Sequence, residues 1–330
     1  MMGNQAPGPE GVGPPPVIET RALAKRFGKT TAVHRLDLAV PAGSVVGLIG
    51  PNGAGKTTTL RMMAGLTPPT GGDILMDGRR VSWNGSRRIH GAIGYMPDFF
   101  GVYDEMRAWE YLDFFARCHD LPSGRRDHLV GELLDLVDLT AKRDADVNGL
   151  SRGMKQRLCL AQALVHDPRL LLLDEPASGL DPRARIEMRE LLLELKALGK
   201  TIVVSSHILS ELEHLCDQIV IMERGHLVAA GPVDLIDAQL QGAREVRMLV
   251  LSPRDEVVSW LDGHDGVQVV EDDPGETAAG WITFMLQGDD ETQAALLAAM
   301  VSSGVRVASF AAREARLEDV FMRLTEGGVS

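Results

Sequence analysis

Cysteine is scarce in this sequence, and its spacing limits the kinds of site that the chain can build. The 330 residues include three cysteines, which lie far apart and form no Cys-x-x-Cys pair: Cys118, Cys159 and Cys216. This spacing favours neither a disulfide framework nor a zinc site. We therefore expect a protein of a reducing compartment.

Long apolar runs are missing as well. None approaches the roughly 18 residues that a membrane-spanning helix needs. Hydrophobic residues still make up 45% of the chain, which is enough to bury a sizeable core. Residues 1–16 are rich in glycine and proline and carry no hydrophobic signal segment. We expect a disordered tail there, and a cytoplasmic protein unless something else holds it to a membrane.

Positive charge is in deficit. Lysine and arginine number 34 against 46 aspartates and glutamates, which gives a net charge of −12. This balance argues against sequence-independent binding to nucleic acid or to anionic lipid, although a local basic patch is compatible with an acidic average.

The most informative stretch fits the pattern G-x-x-x-x-G-K-[ST]. Its residues are Gly50, Pro51, Asn52, Gly53, Ala54, Gly55, Lys56, Thr57 and Thr58. A short apolar run at 44–49 predicts a buried strand before it, and residues 57–64 predict a helix after it. A chance glycine-rich turn is the alternative, but this strand-to-helix context is the one that a phosphate-binding loop requires. The stretch therefore predicts binding of a nucleoside triphosphate.

The residue types of this loop match that chemistry. Glycines let backbone N–H groups face phosphate oxygens, and the helix N-terminus adds partial positive charge. We expect Lys56 to reach the β- and γ-phosphates and the Thr57 hydroxyl to bind Mg²⁺. Phe27, a lone aromatic residue beside Gly28, can stack on the adenine or pack at the end of a strand; we favour stacking.

An acidic pair follows a second buried strand. Four consecutive leucines, residues 170–173, predict a central strand that is covered on both faces and ends at Asp174 and Glu175. Asp174 can hold Mg²⁺ and Glu175 can polarise an attacking water. The strand at 201–206 ends at His207, which is either a structural hydrogen-bonding group or a catalytic group facing the same crevice.

Taken in order, these motifs resemble the nucleotide-binding subunit of an ATP-binding cassette (ABC) transporter. The phosphate loop precedes a helical insert, and then come Leu150-Ser151-Arg152-Gly153, Asp174-Glu175-Pro176, Ser178-Gly179-Leu180-Asp181 and His207. The Leu-Ser-x-Gly segment separates this family from other phosphate-loop ATPases. The resemblance covers about residues 17–235.

The resemblance implies that two such domains close head to tail over two MgATP. In each site, Lys56, Thr57 and Asp174 of one subunit would face Ser151 and Gly153 of the other. Glu175 would orient the attacking water and His207 would contact the γ-phosphate. Hydrolysis would release the closed dimer.

The sequence departs from the family pattern at two positions. Asp98 stands where glutamine is usual, and because its carboxylate can still bind Mg²⁺, we expect it to join Thr57 and Asp174 as a metal ligand. Arg152 stands where glycine is usual and can either contact the nucleotide or point into solvent. We expect an active site despite both changes.

The predicted fold class is α/β, a P-loop NTPase of the ABC-ATPase type followed by a small ferredoxin-like domain. The predicted parts are a tail (1–16), an ATPase domain (17–235) with a helical subdomain at about 99–165, a linker (236–243) and a C-terminal accessory domain (244–330). Val17–Thr20 is expected to form an edge strand. The βαββαβ order of the last part predicts the ferredoxin-like arrangement.

The final helix, which carries Leu317, Val320, Phe321 and Leu324 on one face, resembles the tail of drug- and polymer-type exporter ATPases. Packing on its own domain is the favoured role of this helix, and a dimer or regulatory contact is the alternative.

The predicted function is ATP hydrolysis by a subunit that drives a separate transmembrane permease, with export favoured. We expect ATP and Mg²⁺ as cofactors, a homodimer or a heterodimer with a second ATPase subunit, and no nucleic acid. The protein would lie peripherally on the cytoplasmic face of the membrane. Its permease would dock on the helical insert near residues 99–103 and Trp109.

The alternative is a soluble ABC-type ATPase that acts on ribosomes or nucleic acid. Translation-associated members usually carry two cassettes, whereas this chain has one phosphate loop. DNA-repair members need a long coiled-coil insertion, for which the 95 residues from Lys56 to Ser151 are too few. The transported substrate is held by the permease, so the ATPase sequence leaves it open.

Overall fold

The chain divides into two compact units, residues 1–231 and 232–330. The computed structural model describes residues 16–81, 91–98, 105–208, 211–212, 214–233, 243–270, 280–288 and 290–313. Among these residues, no helix combines the length and apolar character needed to cross a bilayer. Several predicted parts lie outside the described residues: 1–15 of the tail, 236–242 of the linker, the aromatic segment 99–103 and the final helix at 316–325.

A six-stranded sheet forms the centre of the first unit. Its strands are β3 (Val45–Ile49), β6 (Ile93–Met96), β7 (Leu170–Leu173), β8 (Thr201–Ser206), β9 (Gln218–Glu223) and β10 (His226–Pro232), in the order β10-β9-β3-β8-β7-β6. Neighbouring strands from β9 to β6 pair in parallel. Every residue of β3, β7 and β8 is buried, as expected for parallel strands covered on both faces. The leucine run therefore forms the central strand that was predicted.

A second, antiparallel sheet belongs to the same unit. Its strands are β1 (Ile18–Phe27), β2 (Thr30–Val40), β4 (Gly71–Met76) and β5 (Arg79–Arg80), in the order β2-β1-β4-β5. Because β1 pairs with both β2 and β4, the prediction of an edge strand at Val17–Thr20 was wrong. The strand continues past Ala22, whose φ of 47° accompanies a shift in register. The charged Lys25 stays inside the sheet because its ammonium group donates to the Pro68 carbonyl at 2.6 Å.

The helices of the first unit are α1 (Lys56–Met63), α2 (Ala108–Cys118), α3 (Ser123–Leu136), α4 (Arg152–Leu164) and α5 (Pro182–Ala197). Helices α2 and α3 lie within the predicted helical subdomain, and Leu121 and Pro122 lie between them. Two of the helices begin at side-chain caps. Ser151 accepts a hydrogen bond from the Met154 amide at 3.3 Å, and Asp181 accepts one from the Ala184 amide at 3.0 Å. These caps fix where α4 and α5 start.

The second unit has the predicted βαββαβ order. Its elements are β11 (Ala243–Val250), α6 (Arg254–Asp262), β12 (Val267–Val270), β13 (Trp281–Gln287), α7 (Asp290–Ser302) and β14 (Val307–Arg313). The sheet order is β12-β13-β11-β14 and every pair is antiparallel. Phe284 of β13 is fully buried and shares a core with Leu261 of α6 and Met300 of α7. The ferredoxin-like arrangement is confirmed.

Candidate active site

The ends of four parallel strands bring most of the predicted site residues to one edge of the central sheet. Strand register places Met96 beside Leu173, Leu173 beside Val204, and Ile49 beside Ser206. Just beyond the ends of these strands lie Asp98 after β6, Asp174 and Glu175 after β7, His207 after β8, and the loop at 50–55 after β3. This is the edge at which open α/β sheets bind ligands.

The phosphate-binding loop is held by two neighbouring segments. Gly55 has a φ of 103°, and a Cβ on it would lie 2.5 Å from the Ala32 carbonyl of β2, so only glycine fits. The Gly225 amide donates to the Ala54 carbonyl at 2.9 Å, and the Gly225 carbonyl accepts from the His34 amide at 2.7 Å. The support from β2 and from the β9–β10 turn fixes the loop backbone. Sequence reasoning did not find this support.

Lys56 is a buried cation. Its Nζ donates to the Gly50 carbonyl at 2.6 Å and lies 3.2 Å from Oε1 of Glu175, while the Lys56 side chain is 6% exposed. A buried ammonium group is stable only when anionic or carbonyl groups surround it. This corner of the site is therefore suited to a negatively charged ligand that reaches Lys56.

Asp174 has one satisfied and one unsatisfied carboxylate oxygen. Oδ1 accepts hydrogen bonds from Thr57 Oγ1 at 3.1 Å and from Ser205 Oγ at 2.8 Å. Oδ2 is buried and has no hydrogen-bond partner among the described residues. Burial raises the pKa of Asp174, the hydrogen bonds from Ser205 and Thr57 oppose that rise, and the negative charges of Asp98 and Glu175 add to it.

An unsatisfied buried carboxylate oxygen calls for an explanation, and a bound cation is a common one. The Thr57 hydroxyl and the Asp174 carboxylate are oxygen donors of the kind that Mg²⁺ prefers. Asp98 is exposed two residues beyond β6, and its charge acts on Asp174. Thr57 and Asp174 therefore fit a divalent cation, and Asp98 as a third ligand stays a prediction.

Glu175 is held in an unusual backbone conformation. Its φ is 51°, and the left-handed region costs a non-glycine residue about 1–2 kcal/mol. The Glu175 amide donates to Ser205 Oγ at 2.9 Å, and Oε2 of Glu175 lies 2.8 Å from Nδ1 of His207. Strain that is kept in this way often marks a functional residue. Ser205 was missed by the sequence reasoning, although a polar residue at the end of an apolar strand was available as a signal.

His207 and Phe27 are partly open to solvent. The His207 side chain is 41% exposed and points its Nδ1 at Glu175. Phe27, at the end of β1, is 53% exposed, and the ammonium group of Lys25 lies 4.9 Å from its ring centroid. An aromatic ring this exposed has a face available for stacking.

Ser151 and Gly153 lie on a different surface of the chain. They line a cavity of about 210 Å³ together with Arg152, Gly179 and Asp181, and no residue of the loop at 50–58 lines it. One chain therefore carries the predicted site residues in two sets: the set around Lys56 and the set around Ser151.

Comparison with known proteins assigns both units. Residues 33–178 match the family model described as ABC transporter, and residues 239–325 match the model described as ATP-binding protein DrrA1-3-like, C-terminal domain. A Nod factor export ATP-binding protein I from Burkholderia lata is 39% identical over 312 residues, which cover 93% of this chain and 96% of that protein. An uncharacterised ABC transporter ATP-binding protein from Bacillus subtilis is 35% identical, covering 93% of this chain and 99% of that protein.

Solved structures show the same fold for the first unit. A structure described as the ATP-binding subunit of an ABC transporter has a TM-score of 0.61 and 32% identity, covering 68% of this chain and 92% of that one. A second, cbiO1 from Clostridium perfringens, has a TM-score of 0.62 and 27% identity with the same coverage. The resemblance inferred from the motifs is confirmed, and the chain belongs to the ABC transporter ATP-binding proteins as an ATP-hydrolysing transporter subunit.

Proposed function

We propose that two such ATPase subunits close head to tail over two MgATP and drive a separate transmembrane permease in export. The observation that carries this proposal is the division of the predicted site residues into two sets within one chain. Lys56, Asp174 and Glu175 lie at the sheet edge, whereas Ser151 and Gly153 line a separate cavity. A second subunit is the simplest source of the missing half of each site.

The first half of the site would bind the triphosphate. The backbone of the loop at 50–55, followed by the N-terminus of α1, favours anionic oxygens. Lys56 would exchange its contact with Glu175 for the β- and γ-phosphates, and the exposed ring of Phe27 would stack on the adenine. When bound, Mg²⁺ would neutralise charge on the phosphates, with Thr57 and Asp174 as ligands and Asp98 beside them.

The proton-handling group in this site is Glu175. Once Lys56 turns to phosphate, Oε1 of Glu175 is free to accept a hydrogen bond from the attacking water and then its proton. His207 holds the other carboxylate oxygen at 2.8 Å, which fixes the direction of the carboxylate. Its 41% exposed ring leaves His207 able to reach a γ-phosphate at the mouth of the site.

The second half of the site would come from the partner chain. The Ser151 hydroxyl caps α4, and the N-terminus of that helix offers partial positive charge to a phosphate. Closure would then depend on the triphosphate, which contacts both chains, and hydrolysis would release it.

Export is supported by the relatives, several of which are named as Nod factor export ATP-binding proteins. On this proposal the protein lies on the cytoplasmic face of the membrane, held there by its permease. Those same names favour transport over the alternative of a ribosome- or nucleic-acid-directed ATPase.

The test compares MgATP hydrolysis by the full-length protein, together with its membrane partner, in wild-type and Glu175→Gln forms. We expect a loss of about 100-fold or more, the usual contribution of a general base. Equal rates in the two forms would overturn the assignment of Glu175. In parallel, the molecular mass of Glu175→Gln in solution should be near twice the 35.7 kDa of the monomer when MgATP is present, and that of the monomer when it is absent. A monomer under both conditions would overturn the proposed dimer.

A further inference from the structure

The Leu-Ser-x-Gly segment packs against the loop that follows Glu175, and the Arg152 side chain contacts Gly179 of that loop. A Cβ built on Gly179 would lie 2.5 Å from Cζ, 2.7 Å from one terminal nitrogen and 2.9 Å from Nε of Arg152. The guanidinium group of Arg152 therefore lies against the Cα of Gly179. Arg152 is exposed to solvent, which is one of the two alternatives expected from the sequence, and its guanidinium group at the same time covers Gly179 of its own chain.

Two neighbouring contacts follow the same face of α4. Gln156, one turn after Arg152 and 5% exposed, donates from Nε2 to the Ser178 carbonyl at 3.2 Å. A Cβ on Gly153 would lie 3.3 Å from the Cβ of Ala184 in the first turn of α5. The start of α4 thus touches Ser178, Gly179 and α5 in succession.

This loop is also tied to the catalytic strand end. The Ser178 amide donates to the Glu175 carbonyl at 3.0 Å, and Gly179 has a φ of 67°. Because Glu175 itself is held in a left-handed conformation, the chain from Glu175 to Asp181 has little freedom to move without moving its neighbours. A short path of direct contacts therefore runs from Glu175 through Ser178 and Gly179 to Arg152.

We propose that Arg152 is a positioning residue that couples the two halves of the site carried by one chain. It holds the cap residue Ser151 and Gly153 at a fixed distance from the Glu175 strand end. This inference rests on the proposed head-to-tail dimer, since the half-site around Ser151 acts on the partner's nucleotide. The consequence is that the state of one nucleotide site is passed within the chain to the surface that closes the other site.

The contact can be tested as a double-mutant cycle, because both of its sides can be changed. Arg152→Gly restores the residue usual in the family and removes the guanidinium group. Gly179→Ala places a methyl group where that guanidinium lies and so displaces it. In the double variant Arg152→Gly/Gly179→Ala, the methyl group has room, and only the backbone strain of alanine at positive φ remains.

The readout is the dissociation constant of the MgATP-dependent dimer in the Glu175→Gln background, measured by analytical ultracentrifugation, with MgATP affinity of the monomer measured separately. We expect each single variant to weaken the dimer, while the affinity of the monomer for MgATP stays within about twofold of that of the parent protein. Because both changes remove the same contact, the double variant should weaken the dimer, relative to the parent protein, by less than the product of the two single effects, with coupling of about threefold or more, as is usual for residues in contact. In the protein that keeps Glu175 and so hydrolyses ATP, Arg152→Gly should lower the Hill coefficient for ATP hydrolysis.

Two controls separate coupling from charge and from folding. Arg117→Gln removes an exposed arginine of α2 that does not line this cavity, and it should leave the dimer within about twofold, the range of surface substitutions. Arg152→Lys keeps the charge without the planar group and should recover only part of the dimer affinity.

Additive effects of Arg152→Gly and Gly179→Ala, or an Arg152→Gly dimer as tight as the parent, would overturn this inference. Absence of an MgATP-dependent dimer in the parent Glu175→Gln protein would instead overturn the proposed function on which the inference rests.

Discussion

Ser205 is predicted to support both acidic residues of the site, so Ser205→Ala should damage stability and cation binding together. Its hydroxyl donates to Asp174 Oδ1 at 2.8 Å and accepts from the Glu175 amide at 2.9 Å, and the residue is fully buried. A hydrogen bond to a charged group contributes about 1.5–3 kcal/mol, and a buried amide left without an acceptor costs about 1–3 kcal/mol. We expect a loss of about 3 kcal/mol in the free energy of unfolding of the first unit.

The pKa of Asp174 should move in a known direction in this variant. The Ser205 hydrogen bond opposes the rise that burial causes, so its removal should raise the pKa of Asp174 further. Protonated carboxylate binds Mg²⁺ poorly, because the ligand must be deprotonated. As the pH is lowered, the gain in ATP affinity that Mg²⁺ provides should therefore be lost at a higher pH in Ser205→Ala than in the wild type.

Urea denaturation followed by tryptophan fluorescence measures the first effect. The second unit contains Trp260 and Trp281, so both are replaced by phenylalanine in all samples, which leaves Trp83 and Trp109 to report on the first unit. Fluorescent-nucleotide titration with and without Mg²⁺, at several pH values, measures the second effect.

Ser206→Ala is the matched control, since Ser206 donates to Glu211 at 2.8 Å and accepts from the Ile208 amide at 2.9 Å without a described contact to Asp174. It should destabilise the unit but leave the pH dependence of the Mg²⁺ effect unchanged. An unfolding free energy for Ser205→Ala within about 0.5 kcal/mol of the wild type, the range of ordinary surface substitutions, together with an unchanged Mg²⁺ effect, would show that Ser205 does not have this role.

Three further predictions concern the same edge of the sheet. Because folding raises the pKa of Asp174, the charged carboxylate lowers the stability of the folded protein as the pH rises through that pKa. Asp174→Asn should therefore raise the melting temperature of the nucleotide-free protein at neutral pH but not in acid. The same variant should abolish the effect of Mg²⁺ on nucleotide affinity. A melting temperature below that of the wild type at neutral pH would contradict this. Gly55→Ala, whose Cβ would lie 2.5 Å from the Ala32 carbonyl, should abolish ATP binding in a calorimetric titration. The control Gly53→Ala, with no atom within 4 Å of its Cβ, should retain folding, and equal ATP affinity in both variants would speak against the loop geometry. Phe27→Ala should weaken ATP more than it weakens inorganic triphosphate, and equal weakening would exclude adenine stacking.

The sequence predicted the parts of the fold whose patterns are local. Four consecutive leucines are typical of a strand covered on both faces, and a glycine-rich loop of this pattern between an apolar run and a helix is typical of phosphate binding. In the same way, the short strands and helices of the second unit repeat in an order that few folds use. These signals need no knowledge of distant contacts.

What the sequence could not predict depends on contacts between distant residues. The first strand was expected at an edge, but it pairs with β2 on one side and β4 on the other, and its buried Lys25 is tolerated through a hydrogen bond to the Pro68 carbonyl. The supports of the loop, Ala32 and Gly225, lie on other strands. The contacts of Ser205 with Asp174 and Glu175, and of Arg152 with Gly179, likewise depend on the placement of β7, β8 and α4 relative to one another.

The transport role itself is tested most directly by purifying the tagged, full-length protein from detergent-solubilised membranes and identifying what accompanies it. We predict a polytopic membrane protein in stoichiometric amount, with MgATP hydrolysis that is lost when the tagged subunit carries Glu175→Gln. Recovery of the subunit alone, or together with ribosomes or DNA, would contradict a role as the ATPase subunit of a membrane transporter.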